Sequence, residues 1–180
     1  RLFSVTTSRS PNNTAVEAQE IADSRGIVNG VLQAAGDVDG FSVQLKEGHT
    51  LVAALAANSR LGSPMDAILQ LATPSGFVVA ENHDAVGLDP RLTYTATQSA
   101  TYIVRVFAFP SAPNSSIRYA GAANYIYRLT MTTGPYIANA GPLSISLPEL
   151  GEVAVFGWSL PADTRLPVKP LGDAHLVAQR

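Results

Sequence analysis

The residues best suited to chemistry are two groups of Asp and Asn side chains set between short β-type runs. Calcium takes about six to eight oxygen ligands, mainly carboxylates and carbonyls on flexible turns. The alternative is that these residues only make turns, through hydrogen bonds from their side chains to nearby backbone. Both interpretations stay open at this point. The first group combines Asn12 and Asn13 with Asp37 and Asp39, and the second combines Asp66 with Asn82, Asp84 and Asp89.

Catalytic chemistry of other kinds finds little support in the sequence. The chain has no cysteine, which excludes disulfides, thiolate zinc sites and cysteine nucleophiles. His49, His83 and His175 lack the spacing of a zinc motif such as His-Glu-x-x-His, and we interpret them as surface turn residues. A Gly-x-Ser-x-Gly nucleophile elbow is absent, and no glycine-rich turn precedes a helix that could bind phosphate. We therefore predict that the chain is not an enzyme.

Composition is that of a folded domain with an unremarkable surface charge. Of the 180 residues, 46% are hydrophobic and 14% are charged, so the chain can bury a core. The net charge is -2, and the 12 Lys and Arg residues are scattered, which argues against a nucleic acid partner. No run approaches the roughly 18 apolar residues of a membrane span, so no membrane insertion is predicted.

The elements that must position these side chains are β-strands. Short β-type runs alternate with Gly, Pro, Asn and Asp clusters, which predicts an all-β sandwich or barrel of about eight strands. Alternation within two runs predicts an inward-facing set: Phe41, Val43, Leu45, Tyr102, Val104 and Val106. One short helix is predicted over Asn13–Ala22. The eight runs are Gly26–Leu32, Phe41–Leu45, Thr50–Ala56, Ala67–Leu71, Gly76–Ala80, Arg91–Thr95, Thr101–Phe107 and Tyr125–Met131.

The two ends of the chain differ from its middle. Residues 1–9 hold one strand-like run before Pro11, and residues 134–180 hold two, Leu143–Leu147 and Glu152–Phe156. About 45 residues are too few for a separate sandwich. We therefore predict three parts: the end of a preceding domain or linker at 1–9, the sandwich at 10–133, and a linker with the start of a following domain at 134–180. Trp158 is predicted to be core of that following domain.

Tyrosines cluster around the long loop from Phe109 to Asn124. Such a loop could form a recognition surface, because binding residues concentrate on loops held by a rigid scaffold. The alternative is that Tyr125 and Tyr127 share one sheet face and pack against their neighbours. The tyrosines concerned are Tyr119, Tyr125, Tyr127 and Tyr136.

Short motifs follow one another in a fixed order between residues 10 and 133. They include Pro11-Asn-Asn-Thr14, Gly36-Asp-Val-Asp-Gly-Phe41, Lys46-Glu-Gly-His-Thr-Leu51, Leu88-Asp-Pro-Arg-Leu92 and Thr101-Tyr-Ile-Val-Arg105. This order resembles the bacterial pre-peptidase C-terminal domain, of the kind found between immunoglobulin-like domains in planctomycete-type exported proteins. The family is related to the collagen-binding domains of collagenases. Leu2–Val5 and Glu152–Leu160 are similar to strands of the flanking immunoglobulin-like domains.

The resemblance implies a jelly-roll-like antiparallel β-sandwich that is appended to secreted proteases and is usually non-catalytic. Some relatives hold calcium and bind collagen. The family often begins Glu-Pro-Asn-Asn, and here Ser10 stands in the place of the Glu. One carboxylate is thereby lost near the first group, so the second group is the slightly favoured calcium site.

These observations predict a non-catalytic structural or adhesive domain of a large exported multidomain protein, stabilised by calcium. The expected location is secreted, periplasmic or at the cell surface. Expected partners are other domains of the same polypeptide and an extracellular protein or polysaccharide. The alternatives are a ligand-binding module for collagen-like protein or polysaccharide, serving a secreted protease or other hydrolase elsewhere in the chain, and a pro-segment or folding aid.

Overall fold

The computed structural model describes residues 3–110, 119–142, 151–171 and 175–178. The chain divides into two compact units, Arg1–Thr133 and Gly134–Arg180. In the described residues, no helix is both long and apolar enough to cross a membrane.

The first unit is a sandwich of two mixed β-sheets, which confirms the predicted all-β class. The strand order is β1-β3-β10-β5-β8 in the first sheet and β2-β4-β9-β6-β7 in the second. A 3-10 helix, Ala22–Ser24, and a short helix α1, Asn58–Leu61, complete its described elements. The strands are β1 (Ser4–Thr7), β2 (Gln19–Glu20), β3 (Gly26–Val31), β4 (Asp39–Leu45), β5 (Thr50–Ala56), β6 (Ala67–Ala72), β7 (Val78–Asn82), β8 (Arg91–Thr95), β9 (Ala100–Ala108) and β10 (Ile126–Thr132).

The eight predicted runs correspond in order to β3 through β10. The predicted antiparallel pairing holds for β3 to β10, whereas β1 pairs parallel with β3 and β2 pairs parallel with β4. Parallel neighbours need a long connection rather than a hairpin. The N-terminal segment provides one, since it passes from the edge of the first sheet to the edge of the second before β3 begins. Residues 4–7, predicted to lie outside the sandwich, thus pair within its first sheet.

Period-two alternation fills the space between the two sheets with apolar side chains. All six residues predicted to face inward are at most 2% exposed. Phe41 pairs with Val104 and Val43 with Tyr102 across β4 and β9, so their side chains enter the core together. The inward-facing set is therefore confirmed.

The predicted helix over Asn13–Ala22 is wrong. The chain makes a turn there and then extends into β2, which pairs with β4. The buried Gln19 side chain accepts a hydrogen bond from the Arg9 backbone N–H at 2.9 Å and donates to the Thr7 carbonyl at 3.3 Å. These tertiary hydrogen bonds, together with burial of Ile21, override the weak local preference for helix.

The second unit contains a four-stranded antiparallel sheet in the order β11-β12-β13-β14. Its strands are β11 (Tyr136–Gly141), β12 (Glu152–Trp158), β13 (Arg165–Leu171) and β14 (His175–Ala178). The predicted run Glu152–Phe156 lies in β12, whereas Leu143–Leu147 falls outside the described residues. The Trp158 ring is 6.0 Å from that of Tyr136, between ring centroids. Whether the unit begins a following domain stays a prediction.

Gly30 in β3 lies opposite Tyr127 in β10, and the tyrosine ring covers it. A Cβ atom at Gly30 would overlap Cζ and the hydroxyl oxygen of Tyr127. The small size of glycine is therefore required for Tyr127 to lie across β3.

Gly30→Ala should destabilise the first unit by about 1–3 kcal/mol, the usual range for overpacking a filled site. Gly26→Ala in the same strand is the matched control, because its Cβ would come no closer than 3.2 Å to a neighbouring atom, Ile21 Cγ2, whereas a Cβ at Gly30 would overlap the Tyr127 ring. Urea unfolding of both variants measures the difference. Equal costs at the two positions would show that the Tyr127 ring does not require Gly30.

Candidate functional site

A cavity of about 350 Å³ opens beside the first predicted group of Asp and Asn residues. The N-terminal segment, β3, the turn before β4, α1 and β10 all contribute to its walls. Its polar side includes Asp37, Asp39 and Tyr127, and its apolar side includes Leu61 and Ile126. Leu61 and Ile126 are 41% and 40% exposed, so they form the rim of the cavity.

Asp39 and Tyr127 join the two sheets of the sandwich. The Tyr127 hydroxyl donates a hydrogen bond to Asp39 Oδ2, and the two residues belong to β10 of the first sheet and β4 of the second. Both are buried, at 2% and 3% exposure. Burial, followed by the charge of Asp39, raises the pKa of Tyr127 well above its ordinary value. The phenol therefore keeps its proton and remains the donor.

Burial also raises the pKa of Asp39 above its ordinary value of 3.8. Hydrogen bonds with Tyr127, Ser8 and Asn12 oppose this rise, and repulsion from the nearby Asp37 adds to it. Each of the three hydrogen-bonding groups is neutral. The Asp39 carboxylate therefore lacks a cationic partner among the residues that the structure describes.

Asn12 lies directly against this carboxylate. Its backbone carbonyl accepts a hydrogen bond from the Gly40 N–H at 2.9 Å, and its Nδ2 donates to Ser8 Oγ at 3.2 Å. Its Oδ1 is buried and has no hydrogen-bond partner. Buried polar atoms are usually paired, so one acceptor here is left over.

The rest of the first group is more exposed. Asp37 is half-buried, and its Oδ2 accepts the Gln33 backbone N–H at 2.6 Å. Asn13 is exposed. The structure therefore brings Asp37, Asp39 and Asn12 together and leaves Asn13 at the surface.

In the second group, Asp89 stabilises α1 from a distance. Its Oδ1 accepts the backbone N–H groups of Ala57 and Asn58 at 3.1 and 2.7 Å. Its Oδ2 accepts the Ser59 N–H at 3.2 Å and also the Ser59 hydroxyl. These are the unpaired amides of a helix N-terminus, which the side chain of the N-cap residue, two or three positions earlier in sequence, normally satisfies. Here the cap comes from a loop about thirty residues away, so no local motif could have revealed it.

The other three members of this group do not join Asp89. Asn82 Oδ1 accepts the Arg91 backbone N–H at 2.9 Å. Asp84 is exposed. The Asp66 carbonyl, rather than its carboxylate, is engaged, and it accepts the Phe109 N–H at 2.9 Å.

Neither group fits calcium well as it is built. The oxygens of Asp89 already accept four hydrogen bonds, and the first group supplies only two carboxylates. Within the described ranges, no three Asp, Glu or His side chains are placed to hold one metal ion. Calcium at either group stays a prediction, since about six to eight oxygens would have to gather there.

A second polar and aromatic set lies on the outer face, the side of the second sheet that faces away from the first. Arg105 donates to Gln70 Oε1 at 2.9 Å, and Gln70 donates to Glu81. The hydrogen bond from His83 to Glu81 Oε1, at 2.7 Å, lowers the pKa of this carboxyl. The chain of contacts thus crosses three neighbouring strands.

Aromatic rings flank that polar row. The rings of Phe107 and Tyr119 lie 4.5 Å apart, and those of His83 and Phe109 lie 5.3 Å apart. Phe107 is buried with Val38 and Ile68 in a small cluster separate from the main core, whereas Phe109 is 41% exposed. Tyr125 and Tyr127 instead belong to the main core or pack against it, which confirms the packing interpretation for these two residues.

Parts of this β-sandwich chain are similar to known proteins. No family model matches the chain. It is 34% identical over 99 residues to a probable subtilase-type serine protease of Deinococcus radiodurans, a match that covers 53% of this chain and 13% of that protein. The chain therefore spans only a small part of this curated relative.

Two solved structures are also similar. One is the pre-peptidase C-terminal domain of a collagenase from Bacillus anthracis, at 12% identity and a TM-score of 0.44. The other is PliG of Aeromonas hydrophila, a periplasmic inhibitor of g-type lysozyme, at 13% identity and a TM-score of 0.44. Each match covers 73% of this chain and 98% of the solved one.

Asp89→Asn should destabilise the first unit by about 1–3 kcal/mol, because an amide nitrogen would face N–H donors that now meet a carboxylate oxygen. Asp84→Asn is the matched control, and as an exposed change it should alter stability by less than about 0.5 kcal/mol. Urea unfolding measures both. If the two variants were equally stable, Asp89 would not be the cap of α1.

Asp39→Asn should remove part of the pH dependence of stability. The folded pKa of Asp39 is raised above 3.8, so stability from this group is fully present below that value and is lost as pH rises through the folded pKa. The unfolding free energy of the wild type minus that of Asp39→Asn should therefore fall as pH rises from 3.8 towards neutrality. A difference that stays constant across this range in urea titrations would contradict the assignment.

Proposed function

We propose that this chain is a non-catalytic, structural or adhesive accessory module of an exported multidomain protein. The observation that carries the proposal is that the buried polar side chains form hydrogen bonds within the fold. Asp39 joins the two sheets through Tyr127, Asp89 caps α1, and Gln19 holds the N-terminal segment. Among the described residues, these groups hold the sandwich together and do not pair a nucleophile with a base.

The similarity to part of a subtilase-type protease supports an exported, protease-associated setting. Because the match covers 13% of that protein, we assign any proteolysis to other segments of such a polypeptide. The module would then act as a spacer or anchor for its neighbours. Its location would be secreted, periplasmic or at the cell surface.

The proposal predicts that the first unit folds without its neighbour. Residues 1–133 expressed alone should unfold in one cooperative urea transition, with a midpoint close to that of the corresponding transition in the full chain. Neither protein should release peptides from casein. Hydrolysis that co-purifies with the chain and is blocked by a serine-directed inhibitor would overturn the non-catalytic assignment.

The outer face favours a second candidate, a ligand-binding module for collagen-like protein or polysaccharide. An exposed aromatic ring beside planar polar groups offers both stacking and hydrogen bonding to such polymers. Phe109 at 41% exposure and His83 supply the ring surface, and Glu81 and Arg105 supply the polar groups.

Retention on insoluble collagen, cellulose and chitin distinguishes the two candidates. A binding module would be retained on one of these polymers, and Phe109→Ala would reduce that retention. Phe77→Ala is the control, because Phe77 is 71% exposed and lies at the turn before β7. No retention on any polymer would leave the spacer role.

Calcium, which the family resemblance implies, is tested by thermal unfolding of the full chain in excess chelator and in millimolar calcium. A ligand specific to the native state adds about 2.7 kcal/mol of stability at 100 times its Kd. Loss of that stabilisation in Asp39→Asn or in Asp84→Asn would identify the group responsible. An unchanged melting temperature would refute calcium binding at both.

A further inference from the structure

We propose that the cavity beside Asp37 and Asp39 binds a primary ammonium group on an aliphatic arm, the chemistry of a lysine side chain or a free alkylamine. This inference goes beyond the proposed function and does not depend on it. It rests on the charge of the cavity, its unused acceptors and its shape.

The described side chains that line the cavity carry only negative charge. Two carboxylates, Asp37 and Asp39, line it, and none of the other described lining residues is basic. Asp39 is 3% exposed, and its hydrogen-bonding partners are neutral. A buried carboxylate without a cation is costly, so a cationic ligand would relieve a cost that the free protein carries.

A carboxylate oxygen in the cavity has no hydrogen-bond donor. Asp37 uses only Oδ2, to accept the Gln33 N–H, and its other oxygen meets no donor among the described residues. Asn12, whose buried Oδ1 is unpaired, contacts Ser8 and Asp39 but does not itself line the cavity. An ammonium brings three donors and no acceptor, which suits the two carboxylates of the lining.

The size of the cavity and its apolar side distinguish an organic cation from a metal ion. A volume of about 350 Å³ is at the lower end of the range for small-molecule pockets, which runs from roughly 300 to 1,000 Å³. Leu61 and Ile126 at the rim are each about 40% exposed, so an alkyl arm leaving the carboxylates would cover them. Calcium would use none of this apolar surface.

Titration calorimetry of the full chain tests the proposal with n-butylammonium chloride as the probe. n-Butanol is the uncharged comparison and calcium chloride the metal comparison, and a Gly-Gly-Lys-Gly-Gly peptide presents the same group on a polypeptide. We expect the amine to bind and the alcohol not to bind at the same concentration. Tighter binding of the peptide would identify a protein side chain as the source, and binding of the free amine alone would identify a small molecule.

Asp37→Asn should weaken amine binding by roughly tenfold or more, the effect of losing one charge-assisted hydrogen bond. Glu47→Gln, an exposed change outside the cavity, should leave it unchanged. Asp39→Asn serves as a second variant, with near-UV circular dichroism confirming that each protein is folded. Equal binding of amine and alcohol, an unchanged affinity in Asp37→Asn, or displacement of the amine by calcium at lower concentration would each overturn the proposal.

Discussion

The hydrogen bond from Tyr127 to Asp39 is the constraint on which much of the first unit depends. It is a polar contact through the interior of an apolar sandwich, and it fixes β10 of one sheet against β4 of the other. Burying a carboxylate without a counter-charge is unfavourable, and here three neutral donors offset part of that cost. Gly30 is also required, because a larger residue there would displace the Tyr127 ring, whose hydroxyl is the donor. A polar pair of this kind specifies how the sheets align more sharply than apolar packing does, since it tolerates little displacement.

The N-terminal segment completes the arrangement by tying both sheet edges together. It pairs with β3 through β1 and with β4 through β2, in both cases parallel. Between these strands, the Asn12 carbonyl accepts the N–H of Gly40, next to the buried Asp39. The same segment forms one wall of the cavity. The cavity therefore exists because a chain that could have been a detached linker crosses from one sheet to the other.

Much of this fold follows from patterns within single strands, and little of the candidate site does. Alternation identified the runs that become β3 to β10 and the burial of Phe41 and Tyr102, because an inner face imposes a period of two. The parallel strands were missed because partner choice is not local. The capping role of Asp89 is not visible in the sequence for the same reason, since the amides that it caps lie about thirty residues away. Their spacing places Asp37 and Asp39 in one group, but only the structure shows that Tyr127, between the sheets, accompanies them.

The two groups of Asp residues differ in how many hydrogen-bond donors surround each carboxylate. Asp89 accepts four hydrogen bonds from one turn of backbone and the Ser59 hydroxyl, so its charge is balanced within the fold and it has little to offer a ligand. Asp37 accepts one backbone N–H and faces an open cavity with Asp39 beside it. Repulsion between these two carboxylates contributes to the raised pKa of Asp39, and a cation between them would reverse that contribution. The same residue type in similar turns is thus structural where donors are plentiful and available for binding where they are few.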